Sequence, residues 1–358
     1  MGCALIYSFE NMRGKELSQF VSTHEAAASL GYTVQHTRLL ARQGRLRASK
    51  FGRDWLIVRE SVARYRATHL WPESDRAVLD NRKIVNVASV PMRSPFRYPG
   101  GKTWLVPCIR RWLRSRAQDV VELVEPFAGG AVVALTAVFE GFVQRATLVE
   151  LDEDVASVWQ VVFGGQAPAL AKRIVDFELA PGNVRRALAG ANGSRLDRAF
   201  ATILRNRINR GGILAPGAGV VKQGENGRGL LSRWYPATLR KRLLNIHSYR
   251  HGFRIICADG IGVMEENAPR TDVIYFIDPP YTVAGRRLYR HSEISHERLF
   301  EVAKRLSGDF LITYDAADEI RQLALRHGME LREVLMKNTH HAKKVELLIG
   351  RDLSWYDE

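Results

Sequence analysis

The chain has 358 residues, a formal net charge of +15 and 46% hydrophobic residues. This length predicts two domains, and the apolar content excludes a globally disordered protein. The longest apolar run, Ala131 to Phe139, is too short to cross a membrane. The three cysteines, Cys3, Cys108 and Cys257, are too far apart for a disulfide scaffold or a CxxC zinc site, and no metal site is expected.

These properties predict a soluble, cytoplasmic protein with no membrane partner. The positive charge favours a polyanionic partner, because each phosphate that a basic side chain neutralises releases condensed counterions. A basic surface without a nucleic-acid partner is the alternative.

The first 69 residues predict a small domain of three helices and one hairpin. The expected elements are a helix from Ser22 or Thr23 to Gly31, a helix from Thr33 to Gly44, two strands within Leu46 to Val58 that turn at Gly52-Arg53, and a helix from Ser61 to His69. Glu25 lies at a capping-box position of the first helix. Two short helices joined by a glycine-containing turn are typical of a helix-turn-helix.

This segment resembles the excisionase/MerR-type winged helix over residues 20–67. The residues that carry the resemblance are His24-Glu25-Ala26-Ala27, Gly44-Arg45-Leu46 and Phe51 to Ile57. The resemblance implies that the second helix enters the major groove of DNA and that the hairpin, or wing, contacts the DNA backbone or minor groove. The positions that would face DNA are Gln35, His36, Arg38, Arg42, Lys50 and Arg53. A module that packs against the rest of the chain or binds a protein is the alternative.

Residues 70–92 are predicted to be a linker, because prolines and polar residues interrupt their short apolar runs. In the second domain, residues 93–358, the segment 195–250 contains twelve Lys and Arg residues against two acids, and seven glycines. Trp234, Tyr235 and Tyr249 are interleaved with the arginines. This composition predicts a flexible basic loop that lies on phosphates and offers stacking faces to bases. A solvated surface loop is the alternative.

A strand and a glycine-containing turn predict a nucleotide site in the second domain. The strand Val120 to Val124 leads into Glu125-Pro126-Phe127-Ala128-Gly129-Gly130 and then into a helical run. Such a turn presents backbone N–H groups to a ligand. A second strand, Ala146 to Val149, ends at Glu150, and an acid about twenty residues beyond the glycines can bind a ribose diol. An exposed carboxylate at a strand end is the alternative.

The run Val273 to Ile277 is fully apolar and predicts a buried parallel strand. It leads into Asp278-Pro279-Pro280-Tyr281, where the prolines lack N–H groups and leave carbonyl acceptors exposed. A planar base with an amino group fits this turn: the amino hydrogens would bind Asp278 and the Pro279 carbonyl, and the ring would stack on Tyr281.

Three motifs in this order resemble the Dam-like, alpha-group adenine-specific DNA methyltransferases over residues 93–350. They are Phe96-Arg97-Tyr98-Pro99-Gly100-Gly101-Lys102, Glu125 to Gly130, and Asp278 to Tyr281. The resemblance implies an α/β fold with a Rossmann-like methyltransferase sheet, S-adenosylmethionine as cofactor and double-stranded DNA as partner. Residues 195–250 occupy the place of the target-recognition region, an inserted region of helices and loops, although Arg205 to Gly212 only loosely matches its usual motif. The N-terminal winged helix is not part of the usual enzyme.

The resemblance also implies functional residues by position. The cofactor-binding residues would be Tyr98, Gly101, Lys102, Glu125, Phe127, Gly129, Glu150, Asp152, Asp259 and Asp278. The catalytic residues would be Asp278, Pro279, Pro280 and Tyr281, and the DNA-binding residues of the inserted region would be Arg205, Arg207, Arg210 and Arg233.

The sequence therefore predicts an enzyme that transfers a methyl group from S-adenosylmethionine to the N6 amino group of a flipped adenine. Neither Cys108 nor Cys257 lies in a nucleophile-like context, which argues against the covalent route to cytosine carbon-5. Cytosine-N4 methylation and a DNA-binding regulator with an inactive methyltransferase domain are the alternatives. A cognate restriction enzyme, within a restriction-modification system, is a further candidate partner.

Overall fold

The computed structural model describes residues 19–30, 34–51, 54–69, 90–97, 100–116, 120–224, 227–281, 294–337 and 343–357. The chain divides into two compact units, residues 1–83 and 84–358. Most of the predicted linker, residues 70–89, lies outside the described residues. None of the helices in the described ranges has the length and apolar character needed to cross a membrane.

The N-terminal unit contains three helices and a three-stranded antiparallel sheet. Its elements are β1 (Phe20–Ser22), α1 (Thr23–Leu30), α2 (Val34–Arg42), β2 (Ala48–Phe51), β3 (Asp54–Val58) and α3 (Arg59–His69). The sheet order is β1-β3-β2. Leu30, Leu40, Leu46 and Ile57 are buried together and form the core of the unit.

The start of α1 follows from a reciprocal capping box. The Ser22 hydroxyl accepts a hydrogen bond from the Glu25 N–H at 3.1 Å, and the Glu25 carboxylate accepts one from the Ser22 N–H at 2.8 Å. The predicted helices and hairpin are present in the expected order, whereas Gly31, Thr33 and the Gly52-Arg53 turn lie outside the described residues. That the unit is a winged helix that binds DNA stays a prediction.

The second unit is built on a seven-stranded sheet. Its strands are β4 (Glu122–Glu125), β5 (Arg145–Val149), β6 (Phe253–Ile256), β7 (Val273–Ile277), β8 (Phe310–Asp315), β9 (Glu330–Lys337) and β10 (Lys343–Gly350). The strand order is β6-β5-β4-β7-β8-β10-β9, and β10 runs antiparallel to both of its neighbours. This mostly parallel sheet confirms the predicted Rossmann-like methyltransferase fold.

Helices cover both faces of this sheet. The described helices of the unit are α4 (Val106–Ser115), α5 (Val132–Phe139), α6 (Glu153–Val161), α7 (Ala167–Asp176), α8 (Pro181–Ala189), α9 (Arg195–Ile208), α10 (Pro236–Ser248), α11 (Gly260–Glu266), α12 (His296–Arg305), α13 (Asp318–Arg326) and α14 (Ser354–Asp357). Successive residues of β7 enter two different buried clusters: Ile274 and Phe276 one, Tyr275 and Ile277 the other. A strand buried on both faces must be apolar throughout, which explains the sequence of β7.

Residues 195–250 contain helices as well as loops, as the resemblance implies, and are not the flexible loop that their composition predicts over the whole segment. Helices α9 and α10 occupy both ends of the segment, and the Ser194 hydroxyl caps α9 by accepting the Asp197 N–H. Trp234 is only 7% exposed and belongs to the core, so it offers no stacking face to a base. Packing of the helices against the sheet domain outweighs the loop-like local composition.

Candidate active site

A cavity of about 380 Å³ lies at the carboxyl ends of the central parallel strands. This edge is where the chain order reverses between β4 and β7, the usual ligand position in open α/β sheets. Nine of the predicted cofactor residues line it: Gly101, Lys102, Glu125, Phe127, Gly129, Glu150, Asp152, Asp259 and Asp278. Tyr98, the tenth, lies outside the described residues. Pro280 also lines the cavity, whereas the neighbouring Pro279 and Tyr281 do not.

The turn after β4 has an unusual backbone. Gly129 has a φ of +43°, and Ala131 has a φ of +51°, a conformation that side chains rarely adopt. The indole N–H of Trp159 donates to the Gly129 carbonyl at 3.0 Å, and Glu125 accepts the Ala134 N–H at 3.0 Å. These contacts hold the strained turn open beside the cavity.

Glu150 is anchored by backbone amides. One carboxylate oxygen accepts the Gly129 N–H at 2.9 Å and the other accepts the Asp152 N–H at 2.9 Å. Each carboxylate oxygen has a second lone pair, so both can accept a further hydroxyl. Burial raises the pKa of Glu150 to about 7, although the two N–H groups oppose the shift.

Asp152 and Asp259 both begin helices. Asp152 accepts the Asp154 N–H at the start of α6, and Asp259 accepts the N–H groups of Ile261 and Gly262 at the start of α11. These capping bonds give both residues a local structural role in addition to the predicted role in binding the cofactor. Their carboxylates nevertheless belong to the wall of the cavity.

Asp278 is held by two side chains from distant parts of the chain. Both of its carboxylate oxygens lie 2.8 Å from Lys102 Nζ. The Thr313 hydroxyl donates to Oδ1 at 2.8 Å. The catalytic carboxylate predicted from the sequence is therefore fixed in orientation and has a direct positive partner.

Lys102 is 4% exposed, and each of the three hydrogens of its ammonium has an acceptor. Besides Asp278, it donates to the Gly100 carbonyl at 3.0 Å and to the Tyr281 hydroxyl at 2.8 Å. Burial alone would lower the pKa of Lys102, but the Asp278 and Glu346 carboxylates outweigh it and raise this pKa above the usual value. Since the ammonium has three donor hydrogens, a direct bond from Lys102 to a cofactor stays a prediction.

Two residues of this network, Thr313 and Glu346, were not predicted. Glu346 is 3% exposed, accepts the Tyr281 hydroxyl at 3.0 Å and lies 3.7 Å from Lys102 Nζ. Thr313 interrupts the apolar part of the strand Phe310–Asp315, and Glu346 interrupts the apolar part of the strand Lys343–Gly350. A polar residue within an apolar strand was the available signal, because buried polar groups need partners.

The predicted DNA-binding residues of the inserted region have different surroundings. Arg205 is ion-paired with Asp154 at 3.1 Å, and Arg210 is exposed. Arg233 is partly buried. Arg207, which the resemblance predicts to bind DNA, is 4% exposed and donates to the Pro95 carbonyl, so its side chain does not lie on the surface.

In the N-terminal unit, Gln35, Arg42 and Lys50 are exposed as a DNA contact requires. Arg38 forms an ion pair with Asp54 of the hairpin. His36 lies in α2, and Arg53 lies outside the described residues. Contact with DNA at these positions stays a prediction.

Residues 98–163 match the family model described as D12 class N6 adenine-specific DNA methyltransferase. The match covers the Lys102 loop, the β4 turn and Glu150, but not Asp278. It supports methyltransferase activity. A search of curated proteins found no match to the chain.

The chain is also similar to solved methyltransferase structures. One is the rRNA methyltransferase aviRa from Streptomyces viridochromogenes, with a TM-score of 0.34 and 10% identity over 75% of this chain and 94% of that chain. Another is the precorrin-6y C5,15-methyltransferase from Geobacter metallireducens, with a TM-score of 0.31 and 10% identity over 76% of this chain and 94% of that chain. Similarity at this level does not indicate which substrate the present chain methylates.

Proposed function

We propose that this chain is an S-adenosylmethionine-dependent DNA methyltransferase that modifies the N6 amino group of adenine in double-stranded DNA. The observation that carries the proposal is Asp278, held by Lys102 and Thr313 at the end of β7 in the wall of the cavity. The adenine-specific family match over residues 98–163 supports the same substrate class.

The cavity wall suits the proposed cofactor. Bound S-adenosylmethionine would supply an electrophilic methyl group on a sulfonium. Glu150 keeps one free lone pair on each oxygen and can accept the two hydroxyls of a ribose. The Asp259 side chain caps α11 and is half-exposed, so its carboxylate can also accept a hydrogen bond from the amino group of the cofactor adenine.

Asp278 can accept one hydrogen of the target amine. Its carboxylate offers about four acceptor positions, of which Lys102 takes one on Oδ2 and Thr313 one on Oδ1. A free position therefore remains on Oδ2. A hydrogen bond from the amine to this oxygen, together with one to the Pro279 carbonyl, would localise the nitrogen lone pair toward the methyl group that the cofactor would supply. The new N–C bond would replace the S–C bond, the thioether would be the leaving group, and Asp278 would be placed to take the proton that the methylated amine loses. Catalysis then comes from positioning and electrostatics.

Tyr281 can serve as a rigid platform for an extruded base. Its ring packs on Tyr314 with centroids 5.9 Å apart, and its hydroxyl is held by Lys102 and Glu346. Extrusion of a base costs a few kcal/mol, and stacking on a preset ring offsets part of it. Because the ring is fixed before the base arrives, little side-chain entropy is lost on stacking.

The cysteines do not support a covalent mechanism. Burial raises the pKa of Cys108 to about 11. Burial, followed by the carboxylates of Glu153, Glu150 and Asp152, raises the pKa of Cys257 above its usual value. Neither thiol is therefore activated as a nucleophile.

The test is methyl transfer by the purified chain. It is incubated with methyl-labelled S-adenosylmethionine and unmethylated genomic DNA, and the digested nucleosides are analysed by mass spectrometry. We expect N6-methyladenine from the wild type and from Asp176→Ala, which removes a surface carboxylate paired with Lys172. N4-methylcytosine would contradict the adenine assignment, and cofactor binding without transfer to any DNA would favour the inactive regulator.

The N-terminal unit is proposed to be a second DNA contact on the same chain. Tethering makes the second contact intramolecular and raises affinity without altering the chemistry. Deleting residues 1–83 should leave cofactor binding intact and kcat near normal at saturating DNA, while DNA affinity falls and its salt dependence becomes shallower. Equal DNA affinity and equal salt dependence for both proteins would exclude the tether.

A further inference from the structure

Two arginines of the inserted region have backbone carbonyls as partners, whereas several partly buried arginines of this unit have acids. Arg93 and Arg110 are paired with Glu140, and Arg116 is paired with Asp309. In the described part of the chain, Arg207 of α9 and Arg242 of α10 have no carboxylate within ion-pair distance. Buried charges are normally paired, so this exception calls for a physical reason.

The two guanidinium groups lie side by side. Arg207 donates to the Pro95 carbonyl, and Arg242 donates to the adjacent Ser94 carbonyl at 3.0 Å. Arg97 adds a third positive charge nearby: burial, then the charges of Arg242 and Arg97, lowers the pKa of Arg207 to about 9. Arg207 Nε is buried and has no hydrogen-bond partner.

Neutral carbonyls do not compensate these charges. A guanidinium presents several N–H donors in a planar fork that matches the oxygens of a phosphate. Arg242 is partly exposed, so its remaining donors can be reached from solvent, whereas Arg207 lies behind it in the interior. An anion bound to Arg242 would therefore also lower the electrostatic cost of burying Arg207.

Holding the chain in place does not require the charge. Asn206 already binds the backbone of Arg97 twice, accepting its N–H at 2.8 Å and donating to its carbonyl at 2.9 Å. Gly212 packs against the same carbonyl so closely that an added Cβ would lie 2.2 Å from it. A single neutral N–H donor would serve each of the Ser94 and Pro95 carbonyls equally well.

The position of this pair relates it to the cavity. Ser94 and Pro95, whose carbonyls the two arginines contact, lie a few positions before Gly100, Gly101 and Lys102, which line the cavity. An anion at Arg242 would therefore lie beside the segment that precedes these three cavity residues in the chain. In a nucleic acid, the anion nearest to an extruded base is a backbone phosphate.

We propose that Arg242, supported from behind by Arg207, binds a backbone phosphate of the DNA next to the extruded nucleotide. The site rests on the proposed function, because it takes its ligand from the DNA that the enzyme would methylate. It differs from the exposed arginines of the inserted region in being preorganised: the guanidinium is already fixed by the Ser94 carbonyl.

The first test is the variant Arg242→Gln, which retains a neutral N–H donor for the Ser94 carbonyl. We expect weaker binding of duplex DNA and a slope of log K against log salt that is shallower by about one. Cofactor affinity and thermal unfolding should match the wild type. Arg326→Gln, which removes a surface arginine paired with Glu297, is the control and should leave the salt slope unchanged.

The second test neutralises the DNA instead of the protein. A series of duplexes carries one neutral methylphosphonate each, at a different linkage around the target adenine. At one linkage we expect the substitution to weaken binding by the wild type but to leave the affinity of Arg242→Gln unchanged. Such non-additivity reports direct contact. If Arg242→Gln does not fold, Arg242→Lys is used in its place and the methylphosphonate series is measured with the wild type alone. We then expect a loss of DNA affinity at one linkage next to the target adenine.

An unchanged salt slope in a folded Arg242→Gln variant, or strictly additive losses, would overturn the phosphate site. A methylphosphonate series without any sensitive linkage next to the target adenine would overturn it as well. None of these results would affect methyl transfer by the wild type, whereas absence of transfer to DNA by the wild type would contradict the proposed function itself.

Discussion

Asp278 and Glu150 follow parallel strands at the same edge of the sheet, but their carboxylates are held in opposite ways. Asp278 has a cationic partner, Lys102, at 2.8 Å. Glu150 has only backbone N–H donors, and burial raises its pKa to about 7. The comparison indicates that Asp278 is held by a direct cationic partner, while the charge of Glu150 depends on pH and on the ligand.

The largest expected effect is on the chemical step. Asp278→Ala removes the acceptor that orients the target amine, and kcat should fall on the order of a hundredfold or more. Binding of S-adenosylmethionine and DNA should change little. Single-turnover methyl transfer together with both dissociation constants measures this, and near-normal turnover would show that Asp278 is not the catalytic carboxylate.

Removal of the other carboxylate should affect binding instead. Glu150→Ala leaves the proposed ribose hydroxyls without a charged acceptor, which typically costs about 1.5–3 kcal/mol of binding free energy. The dissociation constant for S-adenosylmethionine, measured by calorimetry at pH 8, should rise accordingly. Glu150→Gln, which keeps one acceptor oxygen, serves as the matched control. An unchanged constant would assign the ribose to another acid.

Removal of the Thr313 hydroxyl, which donates to Asp278, should have a smaller effect on kcat. Thr313→Val removes one neutral-to-charged hydrogen bond from the carboxylate while Lys102 still holds it. We expect kcat to fall about tenfold, equivalent to about 1.5 kcal/mol, with cofactor affinity unchanged. A parallel rise in the cofactor dissociation constant would contradict the separation between the two carboxylates.

The smallest effect is the pH dependence of cofactor binding. Folding raises the pKa of Glu150 to about 7, so the carboxyl is protonated below that pH and ionised above it. Hydroxyl donors favour the ionised form, so cofactor affinity should increase from pH 6 to pH 8 by up to about tenfold. Glu150→Gln should lack this part of the dependence. Identical pH profiles for the two proteins would exclude Glu150 as the titrating group.

Much of the site was predictable because the signals are local. The apolar run Val273–Ile277 and the turn that follows identified β7 with its carboxylate, and Ser22 with Glu25 identified the start of α1. The short strand β1 escaped prediction because it has three residues and exists through pairing with β3. The bounds of helices α9 and α10 escaped prediction because glycines between them dominate the composition of the segment.

The sequence by itself determined the fold class, the strand-end acids and the order of the motifs, since each depends on neighbouring residues. Only the tertiary structure decided which charges meet. Lys102 and Asp278 are 176 positions apart, and Glu346 approaches Lys102 from a different strand. Arg207 resembles a DNA contact in the sequence, yet helix packing buries it against Pro95. Such pairings depend on the sheet order and on helix packing, which bring residues together that are far apart in the sequence. No local sequence pattern predicts these contacts.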